Sequence, residues 1–351
     1  MSVKKGLLLL LIFGLTACET VAYYTQAFHG QFTILTQRRD IEDVVKDPET
    51  DNHLRSQLET VLAVREFAEQ EMHLPVENNF STYVDLEQPF VVWNVFAAPE
   101  FSLDAKQWCY PIAGCVTYRG YFTESRAYDY ARELEAERFD TYVGGVAAYS
   151  TLGWFADPVL NTIVNREEHR LASLIFHELA HQVVYVPGDT EFNESFATAV
   201  EMEGLRRWLE INGKAEDASA IVAQANLEKS RRLEFVGLVQ GVIPQLESLY
   251  QSDKQAEQKR QEKAALIENL RKHYRELKAQ WGDYDAYDNW FASEINNAKL
   301  RTVSTYFNRV PAFDVLLAEV DYDLPLFYER VKELSRLDTV EREAAIARLA
   351  P

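Results

Sequence analysis

The sequence predicts an α+β fold that is mainly α, and three observations predict it. Apolar residues recur at three-to-four spacing over residues 40–73, 166–212 and 254–281, which is the period of one helix face. Between them, residues 80–122 are rich in β-branched and aromatic residues broken by Pro and Gly, the pattern of a small sheet. No internal repeat and no flexible linker divides the chain. Residues 18–351 therefore read as a single domain, with a charge-rich helical hairpin around 215–285.

The chain opens on a basic stretch, Met1 to Lys5, and a short apolar run, Gly6 to Leu15. That run is too short to span a bilayer and reads as a signal peptide over residues 1–17. Leu15-Thr16-Ala17-Cys18 resembles a bacterial lipobox, with Cys18 as the lipid-bearing first residue of the mature chain. A plain signal peptide cut near Ala17 is the alternative. The resemblance implies a lipid-anchored protein of the bacterial envelope, facing the periplasm. Next come Tyr23, Tyr24, Phe28 and Phe32 at helical spacing, expected to pack onto the body.

The other elements follow in order. Ile41 to Val45 and Leu54 to Met72 are expected helices. Strands are expected at 83–86, 90–96 and 116–122. Asp129 to Glu137 is an expected helix, and Tyr142 to Ser150 an expected Gly-rich strand. In 254–281, Ile267, Leu270, Tyr274, Leu277 and Trp281 form one apolar seam among charges. The seam suits a hairpin packed within the chain; a coiled coil that binds a protein partner is the alternative.

Composition limits the function. At 47% hydrophobic, the chain can bury a large core. Its formal charge is −19, or −21 once Lys4 and Lys5 leave with the leader. So acidic a surface argues against nucleic acid and against electrostatic attachment to anionic lipid. Of three cysteines, Cys18 is assigned to lipid. Cys109 and Cys115 remain as an even pair in an oxidising compartment. They are expected to form a disulfide, with Pro111 and Gly114 in the turn; two reduced thiols are the alternative.

The chemistry centres on His177-Glu178-Leu179-Ala180-His181. On a helix, residues i and i+4 share a face about 5–6 Å apart. Both imidazoles can then reach one Zn²⁺ at roughly 2.0–2.1 Å. Glu178 can face an activated water as general base. The run from Asn165 to Val184 holds no Pro or Gly, with Asn165 and Glu168 in capping-box register. Pro187-Gly188 is the expected stop. Leu174, His177, His181 and Val184 share one stripe, and buried histidines are costly unless something binds them.

A second helix, from Glu191 to about Asn212, can bring Glu194 to the open side of the two histidines. Three protein ligands plus water make a catalytic zinc site. Asp189 and Glu191 are rival third ligands. Thr198 and Glu201 lie on Glu194's face, where either can orient a ligand. His169, two turns before His177, reads as a solvated helical residue. Asn193-Glu194-Ser195-Phe196-Ala197 resembles the Asn-Glu-x-Phe-Ala signature on the second zinc helix of gluzincin peptidases. The metzincin pattern fails, because it needs Gly at 184 and His at 187, where Val184 and Pro187 stand.

Along nearly its whole length the chain resembles the bacterial predicted-aminopeptidase lipoproteins, a gluzincin-like group. The resemblance runs through the lipobox, Trp108 to Phe122, Tyr149-Ser150-Thr151-Leu152-Gly153-Trp154-Phe155, the zinc helices and Asn296-Asn297-Ala298-Lys299-Leu300. It implies a gluzincin-like zinc peptidase with a small β-sheet and a helical extension. His177, His181 and Glu194 are its implied metal ligands, Zn²⁺ its cofactor and a peptide its substrate. Gluzincins lay a strand over the active site just before the zinc helix, and Gly144 to Ser150 occupies that place. Their oxyanion donor is a Tyr or His from the following domain. Tyr306 is the first candidate here, then Tyr149 and Arg119. A group for the substrate's α-amine has only weak candidates, Glu124 and Glu201. Exopeptidase, endopeptidase (stem peptides of peptidoglycan included) and a non-catalytic zinc-stabilised lipoprotein all remain open at this level.

Overall fold

A computed structural model describes residues 23–110, 114–148, 156–212, 215–303 and 309–349. Cys18, Tyr149 and Tyr306 lie outside the described residues. The fold is α+β and mainly helical. Helix α1 covers residues 23–36. It leads to β1 (Arg39–Asp40), α2 (Ile41–Lys46) and α3 (Asn52–Gln70). Asp40 and Asp51 cap α2 and α3 by accepting from backbone N–H groups of the first turn. The central block holds β2 (Thr82–Val84), β3 (Val92–Pro99), β4 (Trp108–Tyr110), β5 (Gly114–Val116) and β6 (Arg119–Tyr121). Then come α4 (Glu124–Ala136), β7 (Phe139–Val146), β8 (Val159–Leu160) and α5 (Asn161–Val164).

Where one small sheet was expected, the described residues hold three. In the first, β1 pairs antiparallel with β2, and β2 parallel with β8. The second has the order β6-β3-β7, all antiparallel. The third is the hairpin β4-β5, in which Cys109 lies opposite Cys115 and is joined to it by a disulfide. The split has a cause in the 85–88 segment. Leu86 N donates to Asn161 Oδ1, and Asn161 Nδ2 donates to Gln88 O. Those bonds draw the chain toward α5, so β2 cannot continue into β3. The strand expected at Tyr142 to Ser150 starts earlier, at Phe139, because Phe139 to Thr141 pair with Ala97 to Pro99.

The two helices of the sequence motif are α6 (Glu168–Val183) and α7 (Thr190–Ile211). Asn165 does not cap α6: it ends the short α5, and Glu167 takes the cap position without a side-chain bond. At Gly204 a Cβ would stand 2.6 Å from the Phe176 ring, so α6 and α7 approach closely only because a glycine sits there. The largest core surrounds this pair. Phe176, Phe192, Phe196, Phe313 and Phe327 are fully buried in it.

Helices α8 (Ala215–Gln240), α9 (Ile243–Gln251) and α10 (Ala256–Gln280) make the charge-rich hairpin. α11 (Asp288–Ala292) and α12 (Asn297–Thr302) complete a second core with it. The seam of Ile267, Leu270, Tyr274 and Trp281 is filled from within the chain, by Phe235, Val239, Leu246 and Phe291. Asn297, fully buried, ties this core to the sheet by donating to the carbonyls of Pro99, Glu100 and Ser102. The chain closes with α13 (Val310–Glu319), α14 (Leu324–Ser335) and α15 (Thr339–Leu349).

The N-terminal helix corrects an expectation. Tyr23 packs onto the body, stacked with Tyr110 at 5.5 Å. Phe28 and Phe32 do not, at 73% and 51% exposed, while Tyr24 is 43% exposed and meets the body by an edge contact with Tyr110 at 6.2 Å. Helical spacing gives the three one common face, and in α1 that face points away from Tyr23, Gln26 and Ile34, which bind the body.

Candidate metal centre

α6 and α7 bring His177, His181 and Glu194 together. Their ligand atoms all lie within 4.8 Å of one another. His177 Nε2 is 3.4 Å from one Glu194 oxygen, and His181 Nε2 is 3.6 Å from the other. These gaps exceed the 2.7–2.9 Å of a charge-assisted hydrogen bond. They run to different oxygens of one carboxylate, so the two imidazoles and Glu194 surround a common space that a metal ion could occupy. The donor set, two imidazole nitrogens and a carboxylate, also suits a catalytic zinc.

Local chemistry fixes the geometry. Asn193 Nδ2 donates to Val186 O at 2.9 Å, and Val186 N donates to Asn193 Oδ1 at 2.8 Å. This buried two-way bond holds the connection between the helices in place, so Glu194, the next residue, faces the histidines. Asp189 caps α7 by accepting from Phe192 N. Its carboxylate is paired with Arg309 and Arg342, and Glu191 is paired with Arg309. Both rival ligands are thereby committed elsewhere.

Glu201, two turns after Glu194, stands 3.1 Å from His177 Nδ1. A carboxylate can only accept, so His177 donates from Nδ1 to Glu201, and Nε2, which faces Glu194, is the nitrogen left to bind an ion once it loses its proton. His181 Nδ1 is buried and has no partner among the described residues, as is also true of Thr198 Oγ1. His169 lines the cleft near Glu167, 3.6 Å from its carboxylate, and stands apart from the metal group.

The electrostatics are strongly split. Burial alone would depress His177, but its bonds to Glu194 and Glu201 outweigh that and push it up to about 10. Burial, with His177 as a cationic neighbour, takes His181 down to about 4. Burial raises Glu178 to about 7, opposed by His177 and aided by Glu194, Asp157 and Glu201. Glu194 is also penalised by burial, yet His177 and His181 hold it below the usual carboxylate range. A carboxyl near 7 is matched to proton transfer at neutral pH.

Glu178 sits where two spaces meet. One is a cleft of about 930 Å³, lined by α6, α7 and α8 together with Tyr284 and Tyr287. Arg232 of α8 faces it and helps hold Glu194 ionised. The other is a cavity of about 20 Å³, lined by Arg38, Ala148 and Asp157 among others, with room for about one water. Strand β7 ends at Val146, and Ala148, two residues on, lines this cavity with Glu178. Gly145, however, makes room for the Phe90 ring, 2.3 Å from where its Cβ would be.

Other candidates lie elsewhere. Arg119 is buried among Tyr23 and Tyr130, its guanidinium 4.3 and 4.5 Å from their rings, and is not among the residues lining the cleft. It was read as an oxyanion donor, but a cation enclosed by aromatic faces serves packing instead. Glu124 is exposed in the first turn of α4, outside the cleft. Asp157, 5% exposed beside Glu178, escaped the sequence reading. It belongs to no helix pattern, and only the fold brings it to the base. Asn193 was visible only as part of a signature, without its role.

The fold is α+β and mainly helical, and in it two histidines and a glutamate could hold one metal ion. The chain belongs to the family described as "Putative aminopeptidase", which matches residues 22–346. No curated protein and no solved structure matches it.

Proposed function

We propose that this protein is a zinc-dependent aminopeptidase of the bacterial cell envelope, anchored by lipid on Cys18. The observation that carries the reading is the convergence of His177 Nε2, His181 Nε2 and Glu194 beside a buried Glu178 with a carboxyl near 7. Family membership supports peptide hydrolysis from the N-terminus. The leader and lipobox-like residues 1–18 support the envelope location.

His177, His181 and Glu194 hold the ion, and Glu201 fixes the His177 ring. Zinc bound there supplies Lewis acidity to the scissile carbonyl and lowers the pKa of water toward about 7. Glu178 takes the proton as water attacks, then delivers it to the leaving amine. The low-dielectric wall around it keeps its pKa in the range where both transfers proceed. The cleft admits the peptide between α6 and α8, and Arg232 keeps the acidic cluster from rejecting the substrate's carbonyl oxygens. Tyr149 and Tyr306 stand as candidate oxyanion donors.

The test is incubation of the detergent-solubilised full chain, loaded with zinc, with a defined peptide mixture read by mass spectrometry. Stepwise loss of N-terminal residues supports the aminopeptidase. Internal cuts make it an endopeptidase. Bound zinc without any cleavage returns the chain to the non-catalytic lipoprotein.

A further inference from the structure

We infer that the exposed face of α1 lies in the surface of a lipid bilayer, and that Tyr24, Phe28 and Phe32 are the residues that enter it. Phe28 and Phe32 are stacked at 6.0 Å on the helix surface. Three large aromatic residues exposed on one helix face form a contiguous apolar patch, and such patches mark binding surfaces.

The helix is seated firmly, so the face has a fixed direction. Gln26 is buried, donates from Nε2 to Gly120 O, and accepts from Phe122 N. Tyr23 stacks on Tyr110, and Ile34 is buried in the main core. The outward face is also unusually free of Asp, Glu, Lys and Arg for this protein, with Thr25, His29 and Thr36 as its exposed polar residues. Thr20 to Gln37 contains no Asp, Glu, Lys or Arg in a chain of net charge −19. Thr33 and Thr36 turn their hydroxyls onto the helix's own carbonyls at His29 and Phe32, leaving less polarity on display.

Position selects the occupant. The inference rests on the lipid-anchor reading of Cys18. Tyr24 lies six positions after Cys18, a tether of at most about 20 Å. A helix held that close to the bilayer, with an aromatic and charge-free face, meets lipid before any protein partner. No helix among the described residues is long and apolar enough to cross a membrane, so α1 lies along the interface, with its apolar face at the acyl boundary. The acidic surface gives no attraction to anionic lipid, so the contact is apolar in origin.

The consequence reaches the active site. The opposite side of α1 supplies Gln31 and Ile34 to the cavity beside Glu178, and Arg38, two residues past the helix, joins them. The helix that rests on lipid therefore also forms one wall of the catalytic chamber, and sets that chamber at the membrane surface.

The experiment uses the full, acylated chain with Phe28→Cys. The new thiol is the one free cysteine once Cys18 carries lipid and Cys109–Cys115 is closed. It is labelled with an environment-sensitive fluorophore and reconstituted into phosphatidylcholine vesicles. The expected result is a blue-shifted emission, quenching by lipids bearing a nitroxide near the headgroup, and loss of quenching by aqueous iodide. The same label at Val340→Cys, where the native residue is 76% exposed, provides the water-exposed reference. Equal iodide quenching at 28 and 340 overturns the inference. So does shelter from iodide without nitroxide quenching, which means that residues 1–22 or a second copy cover the face. Mass spectrometry reads Cys18 acylation separately. A chain without acyl groups ends the anchor reading, and its binding to added vesicles through Phe28 then still decides the role of α1.

Discussion

Helices α6 and α1 break the rule of apolar inside and polar outside in opposite ways. α6 holds one buried histidine and a half-buried histidine and glutamate against the main core. α1 leaves two phenylalanines and a tyrosine in solvent. Each arrangement costs the isolated chain free energy, the first in desolvated polar groups and the second in unburied apolar surface. Under the function and the lipid contact proposed above, each cost is offset by a ligand, an ion and peptide for α6 and lipid for α1. The difference teaches where selection has kept function above stability: a departure in polarity points to chemistry, and a departure in apolarity points to a surface to be covered.

The largest expected effect sharpens the α6 side. Glu178→Gln keeps the shape but removes the base. Turnover on a peptide is expected to fall about 10²–10⁴-fold, with metal content unchanged and melting temperature equal or higher, because a buried ionisable group has gone. Parallel rate, metal and melting measurements check all three.

Next in size is a pH effect. With His177 pushed up to about 10 in the metal-free protein, this ring is protonated at pH 7 and must lose its proton to act as a ligand. Apparent zinc affinity should then rise with pH, about tenfold per unit while pH stays below the His177 value, with about one proton released per ion. Calorimetry in buffers of different ionisation enthalpy measures that proton. Affinity flat between pH 6 and 8 would show that His177 is not a ligand.

Glu201→Ala removes the acceptor that orients His177, and zinc affinity should weaken about 10–100-fold with the fold intact. Competition with a fluorescent chelator reads it. Asn193→Ala breaks both bonds to Val186 and leaves backbone groups unsatisfied. A loss of about 1–3 kcal/mol in stability is expected by denaturant unfolding, with weaker zinc binding because Glu194 is freed.

The smallest effect breaks the comparison most cleanly. Phe28→Ser should change the stability of the detergent-free protein by less than about 0.5 kcal/mol. Phe196→Ala, inside the main core, should cost about 3–5 kcal/mol. A large loss at Phe28 would mean that α1 is covered in the folded protein, and that the two departures are not opposites.

The metal-centre residues were legible because helical geometry ties sequence spacing to spatial spacing. His177, Glu178 and His181 follow from i and i+4, and Glu194 and Glu201 from the face of the next helix. The mainly helical α+β class followed from periodicity in the same way. Strand partners were not legible, since β2 pairs with β8 across the whole of β3 to β7, and the bonds of Asn161 divert it from β3. Asp157 was invisible for the same reason. Arg119 was misread because a cation in a strand gives no sign of the aromatic rings around it. α1 was misread because 3.6-residue periodicity marks a common face without saying what lies against it. Tyr149 and Tyr306 fall outside the described residues.

One measurement bears most directly on the central claim: peptide hydrolysis followed as a chelated, metal-free protein is titrated with zinc. Activity is expected to be lost on chelation and to return linearly to a plateau at one zinc per chain, with no return in His177→Ala. Activity that survives chelation, or zinc taken up equally by His177→Ala, would contradict a catalytic ion held by His177, His181 and Glu194.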